Sequence, residues 1–181
     1  MKRRPLRLFV AIDPPVEARR AMVERLATVP IDPRHRATPP DQVHLTVQFI
    51  GDTEERELPE VMESVHRAAS GIGAFSLTPR RLISLPERGP VRLIALETDA
   101  PAPLVELHRR LAMRLARSPR AKAADRFLPH LTLCRFSGEA SAEPVDEPVS
   151  LPAFAVASIR LMKSILRPQG AEHLCLEDVA L

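Results

Sequence analysis

The chain has 181 residues, 45% hydrophobic and 27% charged, enough apolar material for one core and a length that fits one domain or two small lobes. Six Phe with no Trp or Tyr exclude a Tyr/Trp stacking platform, and a net charge of +3 suits a polyanionic ligand without demanding one. The two cysteines, Cys134 and Cys175, sit in apolar runs and exclude a disulfide framework, and no apolar run approaches the length of a membrane span.

The basic opening Met1-Lys2-Arg3-Arg4 is followed by too short an apolar stretch for a signal peptide, so a soluble cytoplasmic protein is expected. Leu6–Ile12 reads as a strand. Asp13-Pro14-Pro15 then opens a helix to about Ala27, with Asp13 as its cap and Ala18, Met22 and Leu26 at helical spacing. Ile31–Pro40 reads as a polar, proline-rich loop. Val43–Ile50 is the next strand, closed by Gly51-Asp52. Glu55–Ser70 is a helix with Leu58, Val61, Met62 and Val65 on one face, ended by Gly71. Phe75–Leu85 and Val91–Thr98 read as two strands joined by Pro86-Glu87-Arg88-Gly89-Pro90. A helix from Pro103 to Arg117 turns Leu104, Leu107, Leu111 and Leu115 inward, and Ser118-Pro119 stops it. After the basic segment Arg120, Lys122, Arg126 comes the strand His130–Phe136. Gly138–Ser150 is an acidic loop. Phe154–Leu166 and His173–Leu181 close the chain as strands about a turn at Arg167–Gly170.

One phrase occurs twice: His44-Leu45-Thr46-Val47 and His130-Leu131-Thr132-Leu133, nearly half the chain apart. In an extended strand residues i and i+2 share a face. His44 and Thr46 therefore lie together, as do His130 and Thr132. Leu45, Val47 and Phe49 point the other way, into a core, with Leu131 and Leu133. The repeat predicts an α+β fold of two similar, pseudo-symmetric lobes of antiparallel sheet with flanking helices. Each lobe donates one strand to a central cleft, and the whole of residues 1–181 forms a single bilobal domain.

Two histidines titrate near neutral pH and can divide the base and acid roles of phosphodiester cleavage without a metal or other cofactor. Thr46 and Thr132 can bind non-bridging oxygens. Arg135 can add a fixed positive charge, but strict alternation sets it opposite His130, so this role requires a strand end or a bulge near Phe136. The alternative for Arg135 is a solvated arginine at a strand end. His66 and His108 read as structural or surface residues, and His35 as a solvated loop residue or an RNA contact. His173 shares a strand face with Cys175 and Glu177, but three mixed ligands on one strand make a poor metal cage. Arg80, Arg81, Arg120, Lys122 and Arg126 either track an RNA backbone or form a solvated basic face.

Over nearly its whole length the chain resembles the two-histidine (2H) phosphoesterases, in particular the RNA 2′,3′-cyclic phosphodiesterases, also called 2′-5′ RNA ligases. The residues that carry the resemblance are Arg7-Leu8-Phe9-Val10-Ala11-Ile12, Val43 through Gly51 and Pro129-His130-Leu131-Thr132-Leu133-Cys134-Arg135. Ile159 through Ser164 followed by Gly170 adds to them. The resemblance implies a bilobal α+β fold and metal-free hydrolysis of RNA 2′,3′-cyclic phosphate ends to 2′-phosphates. His44 would be the acid toward the 3′-oxygen and His130 the base on water. The reverse reaction would give a 2′-5′ linkage. A monomer with an RNA or oligonucleotide partner and no membrane partner is expected. The chain departs from the family in having Leu85-Pro86 where a Phe-Pro is common, and in its poverty of aromatics. Phe9 or Phe49 is left to hold the terminal base. The other readings are a noncatalytic RNA-binding module and a 2H esterase acting on a small cyclic nucleotide.

Overall fold

Leu6–Ile12 alternates between two apolar surfaces, which suits a strand buried on both faces. In the computed structural model, which describes residues 5–31, 35–115, 127–136, 144–167 and 170–181, it is β1, central in the sheet. The other elements are α1 (Val16–Ala27), β2 (His35–Ala37), β3 (Leu45–Thr53), α2 (Leu58–Ala69), β4 (Phe75–Leu77), β5 (Pro79–Leu85) and β6 (Leu93–Thr98). They are followed by α3 (Ala102–Leu115), β7 (His130–Phe136), β8 (Asp146–Pro148), β9 (Phe154–Val156), β10 (Ser158–Arg167) and β11 (Gly170–Ala180). The fold is α+β, with one antiparallel sheet in the order β11-β10-β1-β3-β7-β6-β5-β8, β2 added beside β7, and a separate β4-β9 pair.

The two motif strands are neighbours at the middle of this order, with three strands beyond each of them. One face of the sheet packs on helices. Leu8, Val10, Ile12, Leu45, Val47, Leu131 and Leu133 form a single core with Met22 and Leu26 of α1, Val61 and Val65 of α2, and the leucine stripe of α3. Burying that stripe contributes about 1.5–3 kcal/mol per leucine, which is what holds α3 on the sheet. Phe9, Ala11 and Met162 lie apart from this core, on the opposite face, where β1 pairs with β10.

Several expectations are corrected. Asp13 does not cap α1. Each proline holds the residue before it in extended conformation, so the helix starts only after Pro15 and has no side-chain cap. Asp13 instead receives Arg160 Nη1 at 2.6 Å. Phe75–Leu85 is two strands, because Pro79 has no N–H and the Thr78 N–H turns to Asp99 Oδ1 at 2.8 Å. Phe154–Leu166 likewise divides at Ala157, with β9 pairing β4 and β10 pairing β1 and β11. Within the expected loops, His35–Ala37 and Asp146–Pro148 are short strands recruited by the edges of β7 and β5. Residues 116–126, 137–143 and 168–169 lie outside the described residues, and with them Arg120, Lys122, Arg126, the first part of the acidic loop and the middle of the expected turn after Arg167. Among the described residues no helix is long and apolar enough to cross a membrane.

Candidate active site

β3 and β7 meet at one antiparallel pair, Leu45↔Leu131, whose side chains are fully buried in the core. Carried one residue to either side, that register sets His44 beside Thr132 and Thr46 beside His130, all on the face away from the helices. In a regular ladder such diagonal positions are separated by about 7–8 Å, which leaves room for a phosphate between the two imidazoles.

Both histidines are held in the same way. His44 Nδ1 lies 2.8 Å from the Gln42 carbonyl, and His130 Nδ1 lies 2.8 Å from the Leu128 carbonyl. A carbonyl only accepts, so each Nδ1 carries its proton and donates it. In the neutral ring each Nε2 is thereby the unprotonated nitrogen, able to accept a proton. In both cases the partner is the carbonyl two residues upstream, so the repeat in sequence is also a repeat in geometry.

Two irregularities re-aim side chains that strict alternation would misplace. On β7, Ile94 pairs with Cys134 and Ala95 with Thr132, which leaves Leu133 as an extra residue. Leu133 and Cys134 are consequently both buried, and from Arg135 onward the facing is inverted. Arg135 is therefore exposed on the face of His130 and Thr132, and its charge reaches both His44 and His173. The bulge required from sequence exists, three residues before Phe136. On β3, Val47 is the extra residue against β1 and Ile50 is a second, with Gly51 at φ +86° in the strand that was expected to end there. The expected core position of Phe49 is accordingly wrong. Phe49 pairs with Phe9, its ring 6.1 Å away, and is 63% exposed.

Two other rings pack on His44. The Phe9 ring lies 5.1 Å from it and the His173 ring 5.0 Å from it, nearly perpendicular. Burial lowers the His44 pKa below 6.5, aided by Arg135 and His130 and opposed by its bond to Gln42 and by Asp13. His173 is also lowered, to about 4, first by burial and then by His44 and Arg135. Sequence reasoning set His173 aside after testing it only against its own strand neighbours. Its actual partners come from β1 and from the residues before β3. Gln42 was missed too: its side-chain Oε1 accepts the His173 backbone N–H at 3.0 Å. Among the described residues no group of three His, Cys, Asp or Glu is placed to hold a metal.

The remaining candidates fall elsewhere. His108 bonds the Val47 carbonyl at 2.7 Å and stacks on Phe127, behind the motif strands, and His66 pairs with Glu177 at 3.1 Å. His35 is on β2, opposite Phe136. Arg81 is engaged by Asp146, and Arg80 lies 3.7 Å from Asp99.

An antiparallel α+β sheet bearing two His-x-Thr strands side by side is the arrangement of the two-histidine phosphoesterases. The chain belongs to the 2′-5′ RNA ligase superfamily, whose family profile matches residues 13–164. It is 30% identical to an RNA 2′,3′-cyclic phosphodiesterase of Thermus thermophilus, over 97% of this chain and 90% of that one. It is 31% identical to an RNA 2′,3′-cyclic phosphodiesterase of Escherichia coli, over 77% of each. Among solved structures it resembles TT0787 of Thermus thermophilus with a TM-score of 0.82 at 29% identity, covering 97% of both chains. It also resembles Escherichia coli LigT complexed with 3′-AMP, with a TM-score of 0.77 at 26% identity, covering 98% of both chains.

Proposed function

We propose that this chain, acting as a monomer of one two-lobed domain, hydrolyses RNA 2′,3′-cyclic phosphate ends to 2′-phosphates by two-histidine acid–base catalysis that needs no metal. The observation that carries the reading is the matched pair of imidazoles, each with Nδ1–H fixed on an i−2 carbonyl and Nε2 left for proton transfer. The names of the Thermus and Escherichia relatives supply the substrate class.

In the reaction, a water oxygen attacks phosphorus while His130 Nε2 accepts its proton. The P–O3′ bond breaks, and His44, protonated at Nε2, returns a proton to the departing 3′-oxygen. The product is a 2′-phosphomonoester with a free 3′-hydroxyl, and the two histidines end with their protons exchanged. His44 must carry its second proton at the start, which its enclosed position disfavours. The phosphate anion brought in by the substrate supplies the opposite charge that restores it. Thr46 and Thr132 hold the non-bridging oxygens, and Arg135 neutralises the charge that grows on them. Because Phe9 is sealed beneath His44 and His173, Phe49 is the ring left to stack on the terminal base. Attack by a 5′-hydroxyl on the same cyclic phosphate would run the site toward a 2′-5′ linkage.

The test is hydrolysis of an RNA oligonucleotide ending in a 2′,3′-cyclic phosphate, in EDTA, by wild type, His44→Ala and His130→Ala. Formation of a 2′-phosphate by wild type, and its loss in both variants, is expected. Folded wild type that binds the oligonucleotide without turning it over would make the protein an RNA-binding module. Turnover of cyclic mononucleotides alone would make it a small-nucleotide esterase.

A further inference from the structure

His173 lies far from both motifs in sequence, on β11, yet it forms one wall of the site. Its ring is 5.0 Å from that of Phe9 and 5.0 Å from that of His44, both nearly edge-on, while Phe9 and His44 are 5.1 Å apart. The three rings make a triangle with nearly equal edges. Gln42 ties two of its corners together. Its backbone carbonyl accepts the proton of His44 Nδ1 at 2.8 Å, and its side-chain oxygen accepts the backbone N–H of His173 at 3.0 Å. Among the described residues no ring packs on His130 in this way, so the triangle distinguishes one half of the site from the other.

The two nitrogens of His173 differ sharply. Nδ1 is shut off from solvent and has no hydrogen-bond partner. The residue as a whole is half-buried, and Nε2 is not among the buried nitrogens left without a partner. A proton on Nδ1 would be a buried, unpaired donor, whereas a proton on Nε2 can be hydrated or bound. The neutral Nε2–H form is therefore the one that the structure accommodates. A pKa held near 4 by burial, His44 and Arg135 agrees with a ring that stays neutral at working pH.

We propose that His173 is a third imidazole of the site, which binds the substrate beside His44 by donating a neutral Nε2–H hydrogen bond to a phosphate oxygen. The His173 ring packs on that of His44 at 5.0 Å and the charge of Arg135 acts on both, so a phosphate engaged by His44 lies beside His173. A neutral donor there holds an oxygen without competing with His44 for a proton, a division of labour that a lysine or a charged histidine would upset. The assignment rests on the phosphodiesterase reading above.

Two variants separate donation from packing. His173→Phe keeps the ring against Phe9 and His44 but removes the donor. His173→Gln shortens the packing surface but carries an amide N–H near the position of Nε2. With an RNA 2′,3′-cyclic phosphate as substrate, His173→Phe should lose about 10–100-fold in kcat/KM, mainly through KM, and His173→Gln should stay within about threefold of wild type. Wild-type kinetics in His173→Phe, or equal losses in both variants, would overturn the proposal. If wild type does not turn the substrate over, the phosphodiesterase reading fails by itself. The role of His173 is then decided by titrating adenosine 2′-monophosphate into wild type and both variants. Weakened binding in His173→Phe alone supports the donor, and unchanged binding overturns it. Imidazole ¹⁵N shifts of the wild type should show His173 as the neutral Nε2–H tautomer at pH 7, and the opposite tautomer would refute the proposal.

Discussion

Replacing His173 by phenylalanine should make the protein less sensitive to acid even as it impairs the site. In the folded chain His173 is neutral down to about pH 4, whereas in the unfolded chain it takes up a proton near pH 6.5. Between those values the unfolded state binds the extra proton, so stability falls as the pH is lowered from 6.5 toward 4 and is not lowered further by this group below that. The full difference corresponds to about 3 kcal/mol at roughly 1.4 kcal/mol per pH unit, and exposure of part of the ring to water reduces it to about 1–2 kcal/mol. His44, also lowered, adds to the same slope with the same sign. Phenylalanine preserves the ring contacts with Phe9 and His44 and removes the buried bare nitrogen, so the variant should be at least as stable as wild type at pH 7.5. Urea unfolding at pH 7.5, 6.0 and 4.5 measures the effect. Wild type should lose about 1–2 kcal/mol more than His173→Phe over that range. Parallel losses in the two proteins would show that His173 is not held neutral by its surroundings, and the tautomer argument would fall with it.

Phe49→Ala removes an exposed ring, so stability should hold within about 0.5 kcal/mol while KM for an RNA cyclic phosphate rises several-fold; unchanged KM would remove Phe49 from the base-binding role. Arg135→Ala should cost about 100-fold or more in kcat/KM, and Arg135→Lys should recover only part of it, since a point charge lacks the bidentate fork; steady-state kinetics on both variants decide this. His108→Ala removes the hydrogen bond to Val47 at the β3 bulge and the stack on Phe127, close in sequence to the Leu128–Pro129 approach to His130. It should destabilise the fold by about 1–3 kcal/mol in thermal or urea unfolding, and a neutral result would mean that the bulge needs no support from α3.

The parts of this protein that the sequence determines by itself are those governed by local periodicity. Alternation around Leu45 and Leu131 puts each His-x-Thr pair on one face, and the leucine spacing of α3 defines the face it buries. The chain's membership of a two-histidine family follows from the same residues. Tertiary structure decides whatever depends on a count between strands. One extra residue at Leu133 turns Arg135 toward the site, and one at Val47 turns Phe49 out of the core. Neither is visible in β7 or β3 alone, because a bulge exists only relative to the partner strand. The same holds for His173. Its neighbours in sequence, Cys175 and Glu177, suggested a set of ligands that does not assemble. Its neighbours in space, Phe9, Gln42 and His44, come from the first quarter of the chain and are brought to it by the pairing of β11 with β10 and of β10 with β1. Burial, His44 and the field of Arg135 then lower its pKa, and all three are properties of packing that no stretch of residues carries alone.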